Sequence, residues 1–131
     1  MTESEHHHQC AFIQWCDFSK VPVYSNANGI YLPVPNFFPI KYQAMLKKIV
    51  LKVISKMKKE GAFRVGIPDL TIPVKNEKFG ALYIEMKIKG NSPTKEQKSY
   101  MKMLEKYGNK CVVCYGVNEA IIETTKYLNN E

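Results

Sequence analysis

The stretch that decides the fold is VGIPDLTIPVKNEKFGALYIEMKI, residues Val65 to Ile88. Two apolar runs in it are separated by a polar segment, which is typical of two neighbouring β-strands joined by a turn. Three charged residues, Asp69, Glu85 and Lys87, lie inside these runs. Because a sheet buries charge only where a partner compensates it, these three side chains are the first candidates for a functional site.

The two-residue period of a strand decides where these charges point. Glu85 and Lys87 project from one face of the second strand, and Asp69 lies on the corresponding face of the first. Pairing the two apolar faces places Asp69 opposite either Glu85 (residue numbers summing to 154) or Lys87 (summing to 156). Directly opposed Cβ atoms lie about 5 Å apart, so two carboxylates there can hold one divalent cation.

Two explanations fit this arrangement of charges. Mg²⁺ or Mn²⁺ would neutralise the two carboxylates and activate a water, and Lys87 would orient that water or stabilise charge on a phosphate. An ordinary cross-strand salt bridge of Lys87 on a solvated face explains the same charges. Gly66 and Pro68 fix the backbone before Asp69, and Gln97 needs a polar partner on an apolar helix stripe, which favours the metal site.

The part of the chain before this stretch contains a predicted helix and a loop. Thr2 and Glu5 have the spacing of a capping box, and apolar residues then recur at helical spacing, so a helix is expected from about Ser4 to Asp17. Residues 19–39 contain four prolines and an Asn-Gly pair, which indicates a loop with one short edge strand at Ile30 to Val34.

A lysine-rich helix follows in KYQAMLKKIVLKVISKMKKEG, residues 41–61. Its apolar side chains share one face, and its lysines, including Lys47 and Lys48, lie mostly on the other. Solvation is the commoner explanation of such a lysine face, and contact with phosphates is the alternative.

The part of the chain after the charged stretch is predicted as helix, strand and helix. In the first helix Thr94 is the N-cap, Gln97 the third residue of a capping box and Gly108 the C-cap. A buried strand over Lys110 to Tyr115 and a helix over Asn118 to Leu128 complete the chain. The order of elements predicts an α/β fold, a small mixed β-sheet flanked by α-helices.

Length, charge and hydropathy set the class of protein. A chain of 131 residues and 15.1 kDa is expected to form one domain over residues 1–131. Its 19 Lys and Arg against 12 Asp and Glu give a net charge of +7, which favours a polyanionic partner or reflects solubility alone. Because the sequence contains neither a membrane-length apolar run nor a basic leader, we expect a soluble, cytoplasmic protein without membrane contact or organic cofactor.

Cysteine and histidine residues are assigned structural positions. Cys111 and Cys114 lie three apart in a β-branched run, so they should point to opposite faces, as core thiols rather than as a zinc pair. His6, His7 and His8 are successive helical residues that point in three directions, so they are expected on the helix surface.

Several motifs together resemble a known family. GIPDL, LYIEMK and TKEQ, preceded by EG and followed by VVCYGVNEAI and KYL, are similar to the VRR-NUC (virus-type replication-repair nuclease) family of the PD-(D/E)XK nuclease superfamily. The similarity extends over nearly the whole chain. It implies a restriction-endonuclease-like fold and metal-dependent cleavage of DNA phosphodiester bonds.

The resemblance also implies roles for individual residues. Asp69 and Glu85 would bind Mg²⁺ or Mn²⁺ together with the backbone carbonyl of Met86. Lys87 matches the catalytic lysine, and Gln97 matches the glutamine that a helix places near the site. These roles belong to the resemblance and are expectations for this chain.

Further expectations concern the substrate. Glu5 matches an acid of the first helix and is a candidate additional metal ligand, and Lys89, Lys95, Lys47 and Lys48 are candidates for DNA contact. Short stand-alone members from phages look like homodimers that cut branched DNA, including four-way (Holliday) junctions. A nuclease for nicks, flaps or linear duplex, and a DNA-binding module without catalysis, are the alternatives.

Overall fold

A computed structural model of the chain describes residues 4–26 and 37–131. Over these residues helices and strands are interspersed along the chain. In order they are α1 (Glu5–Phe18), β1 (Tyr24–Ser25), α2 (Ile40–Lys59), β2 (Leu70–Ile72), β3 (Leu82–Lys87), α3 (Lys95–Lys106), β4 (Lys110–Tyr115) and α4 (Val117–Leu128).

The described strands form one mixed sheet in the order β1-β2-β3-β4. β1 pairs with β2, and β2 with β3, in antiparallel fashion, whereas β3 and β4 are parallel. The parallel pair requires a crossover connection, and α3 supplies it. The predicted α/β fold, a small mixed sheet with flanking helices, is confirmed.

The hydrophobic core lies between one face of this sheet and the helices α1 and α4. Alternate residues of β3 point into it, because side chains in a strand alternate between the two faces. The fully buried apolar members are Phe12, Cys16, Leu70, Ile72, Leu82, Ile84, Met86, Cys114, Ala120 and Tyr127. Full burial of a large apolar side chain contributes about 1.5–3 kcal/mol each, so this core holds β3 firmly in place.

The opposite face of the sheet is covered by α3. Cys111 points to this face and its thiol donates to the Met101 carbonyl of α3 at 3.6 Å, while Cys114 is buried in the core. The expectation that the two thiols lie on opposite faces is confirmed. Burial raises the pKa of both thiols to about 12, which keeps them protonated and poorly suited to bind metal.

The predicted elements of the C-terminal part are confirmed almost residue for residue. Thr94 is the N-cap of α3, and Gln97 completes the capping box, whereas the C-cap is Tyr107, one residue before the predicted Gly108. β4 has the expected bounds, and α4 begins at Val117, one residue before the predicted start. Local signals suffice here because each cap and apolar period lies within the element that it specifies.

One of the N-terminal predictions needs a correction. α1 is capped by Ser4, whose hydroxyl accepts from the His7 N–H at 3.2 Å, so the predicted Thr2–Glu5 capping box is wrong: Glu5 is the first helical residue. The edge strand observed is Tyr24–Ser25. The predicted strand at residues 30–34 lies outside the described residues.

The chain divides into two compact units, Met1–Asn26 with Gly66–Glu131, and Ala27–Val65. The first contains the sheet and helices α1, α3 and α4; the second contains α2. The lysine-rich helix is confirmed in α2, and none of its residues is buried. The single domain over residues 1–131 stays a prediction. In the part of the chain that the structure describes, no helix is long and apolar enough to cross a membrane.

Candidate active site

The β2–β3 register brings two of the predicted acidic residues together. Leu70 lies opposite Ile84 and Ile72 opposite Leu82, so the residue numbers of each pair sum to 154. Asp69, the residue before β2, therefore lies across from Glu85 rather than Lys87. Its carboxylate oxygen Oδ2 accepts a hydrogen bond from the backbone N–H of Met86 at 2.8 Å.

The backbone around Met86 is also oriented by this register. In a strand the N–H and the C=O of one residue point to the same neighbouring strand, so the Met86 carbonyl faces the same edge of β3 as Asp69. Pro68, which would face Met86 next in this register, has no N–H to donate to that carbonyl. The Met86 carbonyl as a metal ligand stays a prediction, and its direction agrees with that role.

Glu85 is the most buried charged residue of the site, with 1% of its surface exposed. Its Oε1 accepts from the Gln97 side-chain amide at 2.8 Å and lies 3.4 Å from the Lys87 ammonium. Its Oε2 is buried without a hydrogen-bond partner among the described residues. An unsatisfied buried polar group costs about 1–3 kcal/mol, and more when it is charged, so an ionised Glu85 is stabilised by a proton or a cation at Oε2.

Gln97 both caps its helix and contacts the site. Its Oε1 accepts from the Thr94 N–H at 2.8 Å, and the Thr94 hydroxyl accepts from the Gln97 N–H at 3.2 Å. The remaining amide group donates to Glu85. The two roles that the sequence left open are therefore combined in one side chain, and the helix N-terminus fixes the direction of that donor.

Gly66 determines how closely the loop before Asp69 approaches α3. Its φ of +86° suits glycine, and a Cβ atom there would lie 2.5 Å from the Glu96 carbonyl oxygen and 3.1 Å from the Gln97 nitrogen. The loop backbone thus rests directly on the first turn of α3. Only glycine permits this contact, which keeps Gln97 within reach of Glu85.

Both carboxyls of the site have raised pKa values. Burial, followed by the negative charge of Asp69, raises the pKa of Glu85 to about 7, although Lys87 opposes the shift. Burial is also the main cause that raises the pKa of Asp69, and the hydrogen bond from Met86 opposes it. The negative charge of Glu5 adds a smaller upward effect on both pKa values, which places α1 within electrostatic range of the site.

The remaining predicted site residues are placed as follows. Lys87 is 8% exposed, and its ammonium forms an ion pair with Glu85 Oε1 at 3.4 Å. Glu5 acts at longer range, because no three His, Cys, Asp or Glu side chains of residues 4–26 and 37–131 are close enough together to hold a metal. Lys89 and Lys95 are exposed, as are Lys47 and Lys48 in the separate α2 unit. DNA contact by these four lysines stays a prediction.

Two residues near the site were missed or misplaced by the sequence. His8 is half-buried and its Nδ1 accepts from the Val117 N–H at 3.1 Å, so its placement on the helix surface is wrong, whereas His6 and His7 are exposed as expected. Asn26 donates hydrogen bonds to the backbone carbonyls of Pro68 and Asp69. No local pattern marks either residue, because both contacts join distant parts of the chain.

The donor atoms of the site fit an Mg²⁺ or Mn²⁺ ion. Such ions prefer carboxylate and carbonyl oxygens, and Asp69, Glu85 and Met86 offer these from one edge of β3. The buried Glu85 Oε2, to which no described residue donates a hydrogen bond, supplies the specific test, because a cation can compensate this oxygen once the carboxyl has lost its proton.

The VRR-NUC domain family model matches residues 28–118, which is more than half of the chain. The chain therefore belongs to the VRR-NUC family, which implies a nuclease-type function and whose members generally use divalent metals. A solved structure described as a VRR_NUC domain protein is similar with a TM-score of 0.60 and 23% identity, over 100% of this chain and 93% of that one. No curated protein matches.

Replacing Gly66 by Ala should strongly destabilise the protein, because the new Cβ would collide with the Glu96 carbonyl. The matched control is Gly90→Ala, which has a similar φ of +96° but no neighbouring atom within 4 Å of its Cβ. A positive φ alone costs a non-glycine residue about 1–3 kcal/mol. Urea unfolding should show a clearly larger loss for Gly66→Ala, and equal losses would contradict the proposed contact.

The pKa of Glu85 predicts how stability depends on pH without metal. Between its usual value of 4.5 and about 7, folded protein keeps a proton that the unfolded chain has lost. The free energy of unfolding should therefore fall as pH rises through this window and level off above it. Urea unfolding in EDTA should show a shallower fall for Glu85→Gln. Identical slopes for both proteins would disprove the buried, proton-retaining carboxyl.

Proposed function

We propose that the protein is an Mg²⁺- or Mn²⁺-dependent DNA endonuclease that hydrolyses phosphodiester bonds. The proposal assigns metal binding to Asp69, Glu85 and the Met86 carbonyl, and catalysis to the two carboxylates with Lys87 and Gln97. The observation that carries it is the buried Glu85 carboxylate, which has one oxygen held by two donors and the other without a partner.

The two carboxylates are oriented before any metal binds. Met86 fixes one oxygen of Asp69, and Gln97 fixes one oxygen of Glu85, at 2.8 Å in each case. The second oxygen of each carboxylate is then the one available to a cation. A divalent cation bound there would polarise the phosphodiester and lower the pKa of a bound water. Metal binding requires both carboxyls to be deprotonated. Because their pKa values are raised, the cation would have to displace a proton, and its binding would lower these pKa values.

Charge balance explains the presence of Lys87. Two carboxylates and one ammonium leave the metal-free site with one net negative charge, which repels a phosphate. A divalent cation changes the net charge to one positive, which attracts it. The Lys87 ammonium, held 3.4 Å from Glu85, is then placed to orient the attacking water or to stabilise charge that develops on the phosphate.

The surroundings of the site support DNA as the substrate. The chain carries a net charge of +7, which favours a polyanion. Exposed Lys89 and Lys95 lie within two residues of Lys87 and Gln97, respectively, so they are proposed to contact the backbone beside the scissile phosphate. Lys47 and Lys48 of α2, which belongs to the other compact unit, are also proposed to contact DNA.

Branched DNA is the proposed substrate class. Resemblance to short stand-alone VRR-NUC members supports a cytoplasmic homodimer that resolves four-way junctions. Residues 4–26 and 37–131 contain one candidate site, so paired cuts in opposed strands would require two copies. A preference for nicks, flaps or linear duplex is the alternative within the same chemistry, since substrate shape depends on surfaces rather than on the catalytic residues.

Cleavage should depend on both the metal and the site residues. An end-labelled four-way junction and a matched linear duplex are incubated with protein and Mg²⁺, Mn²⁺ or EDTA. We expect symmetric cuts in the junction with metal only, and a loss of at least about 100-fold for Asp69→Asn and Lys87→Ala, because each removes a group needed for charge stabilisation. Junction binding should survive in both variants.

The controls separate the parts of the proposal. Lys126→Ala, an exposed lysine of α4, should cleave at the wild-type rate. Equal cleavage of both DNAs would favour the nuclease without junction preference. Junction binding without cleavage in any metal would favour a noncatalytic binding module, and unchanged cleavage by Asp69→Asn would refute the site.

A further inference from the structure

Asn26 joins two parts of the sheet-bearing unit that are distant in sequence. The chain leaves this unit after Asn26 and returns to it at Gly66. The Asn26 N–H donates to the Asp69 carbonyl at 2.7 Å, which continues the β1–β2 ladder. Its side-chain amide donates to the Pro68 carbonyl at 2.9 Å and to the Thr71 hydroxyl at 2.7 Å.

The bond to the Pro68 carbonyl replaces a ladder bond. If the β2–β3 register continued, that carbonyl would face Met86 and accept its N–H. It accepts from the Asn26 side chain instead. The Met86 N–H donates to the carboxylate of Asp69, at 2.8 Å. Asn26 therefore engages the carbonyl that would otherwise be the ladder acceptor for this donor.

We propose that Asn26 is a positioning residue for the metal site. By holding the Pro68 carbonyl, it leaves the Met86 N–H to Asp69 and so fixes the Asp69 carboxylate opposite Glu85. The inference rests on the proposed function, because it assumes that Asp69 binds metal. Asn26 lies outside residues 28–118, which the family model matches, and outside the motifs that carry the resemblance.

A positioning role differs measurably from a structural one. Groups that orient metal ligands typically affect metal affinity by about 10- to 100-fold when they are removed. Removal of a residue that only stabilises the fold lowers the free energy of unfolding and leaves the metal affinity of the folded protein unchanged. Mn²⁺ affinity measured on folded protein therefore separates the two roles.

Asn76 provides a matched control within the same unit. Its side-chain amide donates to the Tyr127 carbonyl at 3.0 Å, and its oxygen accepts from the N–H groups of Lys78 and Phe79. Like Asn26, it is half-buried and bonded through its side chain to backbone groups. It lies in the β2–β3 connection, at the opposite end of β3 from Glu85 and Lys87.

The experiment is a calorimetric Mn²⁺ titration of the full chain, with thermal unfolding measured in parallel. Asn26→Ala is expected to weaken Mn²⁺ binding by about 10-fold or more, because it frees the Pro68 carbonyl to compete for the Met86 N–H. Asn76→Ala should lower the unfolding temperature and bind Mn²⁺ like the wild type. Asn26→Ser, whose hydroxyl is too short to hold both acceptors, is used if the alanine variant does not fold.

Each outcome distinguishes the inference from the function on which it rests. Wild-type affinity in a folded Asn26 variant would overturn the positioning role and leave the proposed nuclease intact. Equal losses of affinity in Asn26→Ala and Asn76→Ala would also overturn it, since they would reflect general destabilisation. Absence of Mn²⁺ binding by the wild-type protein would overturn both proposals together.

Discussion

The rest of the site depends on the burial of the Glu85 carboxylate. A charge with 1% of its surface exposed is costly unless each oxygen has a partner, and neighbouring groups meet this requirement for one oxygen only. Gln97 is directed at it by a helix cap, and Lys87 lies two residues along the same strand face. Asp69 adds a second negative charge from across the sheet, so the ionised cluster carries an excess negative charge that either a proton or a cation can compensate.

Rigid elements place these groups. β3 is held by the core on one face and α3 on the other, and the close contact at Gly66 sets the distance between the loop before Asp69 and the first turn of α3. Small changes in that packing would move Gln97 relative to Glu85. Catalytic geometry tolerates little displacement, which explains why a glycine and a proline precede the aspartate.

The sequence predicts the parts of this site that local patterns encode. The strand period identified Asp69, Glu85 and Lys87, and the capping box located Gln97, because these signals act over a few residues. The alternation of apolar residues narrowed the β2–β3 register to two choices. The structure has the register that places Asp69 opposite Glu85. The contacts of His8 and Asn26 were not predicted, since each joins residues more than 40 positions apart and follows from tertiary packing alone.

The most direct test of the central claim is anomalous diffraction from crystals of the protein grown with Mn²⁺. The account predicts a peak within about 2.0–2.6 Å of a carboxylate oxygen from both Asp69 and Glu85, with the Glu85 oxygen being the one that Gln97 does not contact. A Mn²⁺ peak elsewhere, with the Glu85 carboxyl still buried and bound only to Gln97 and Lys87, would contradict it.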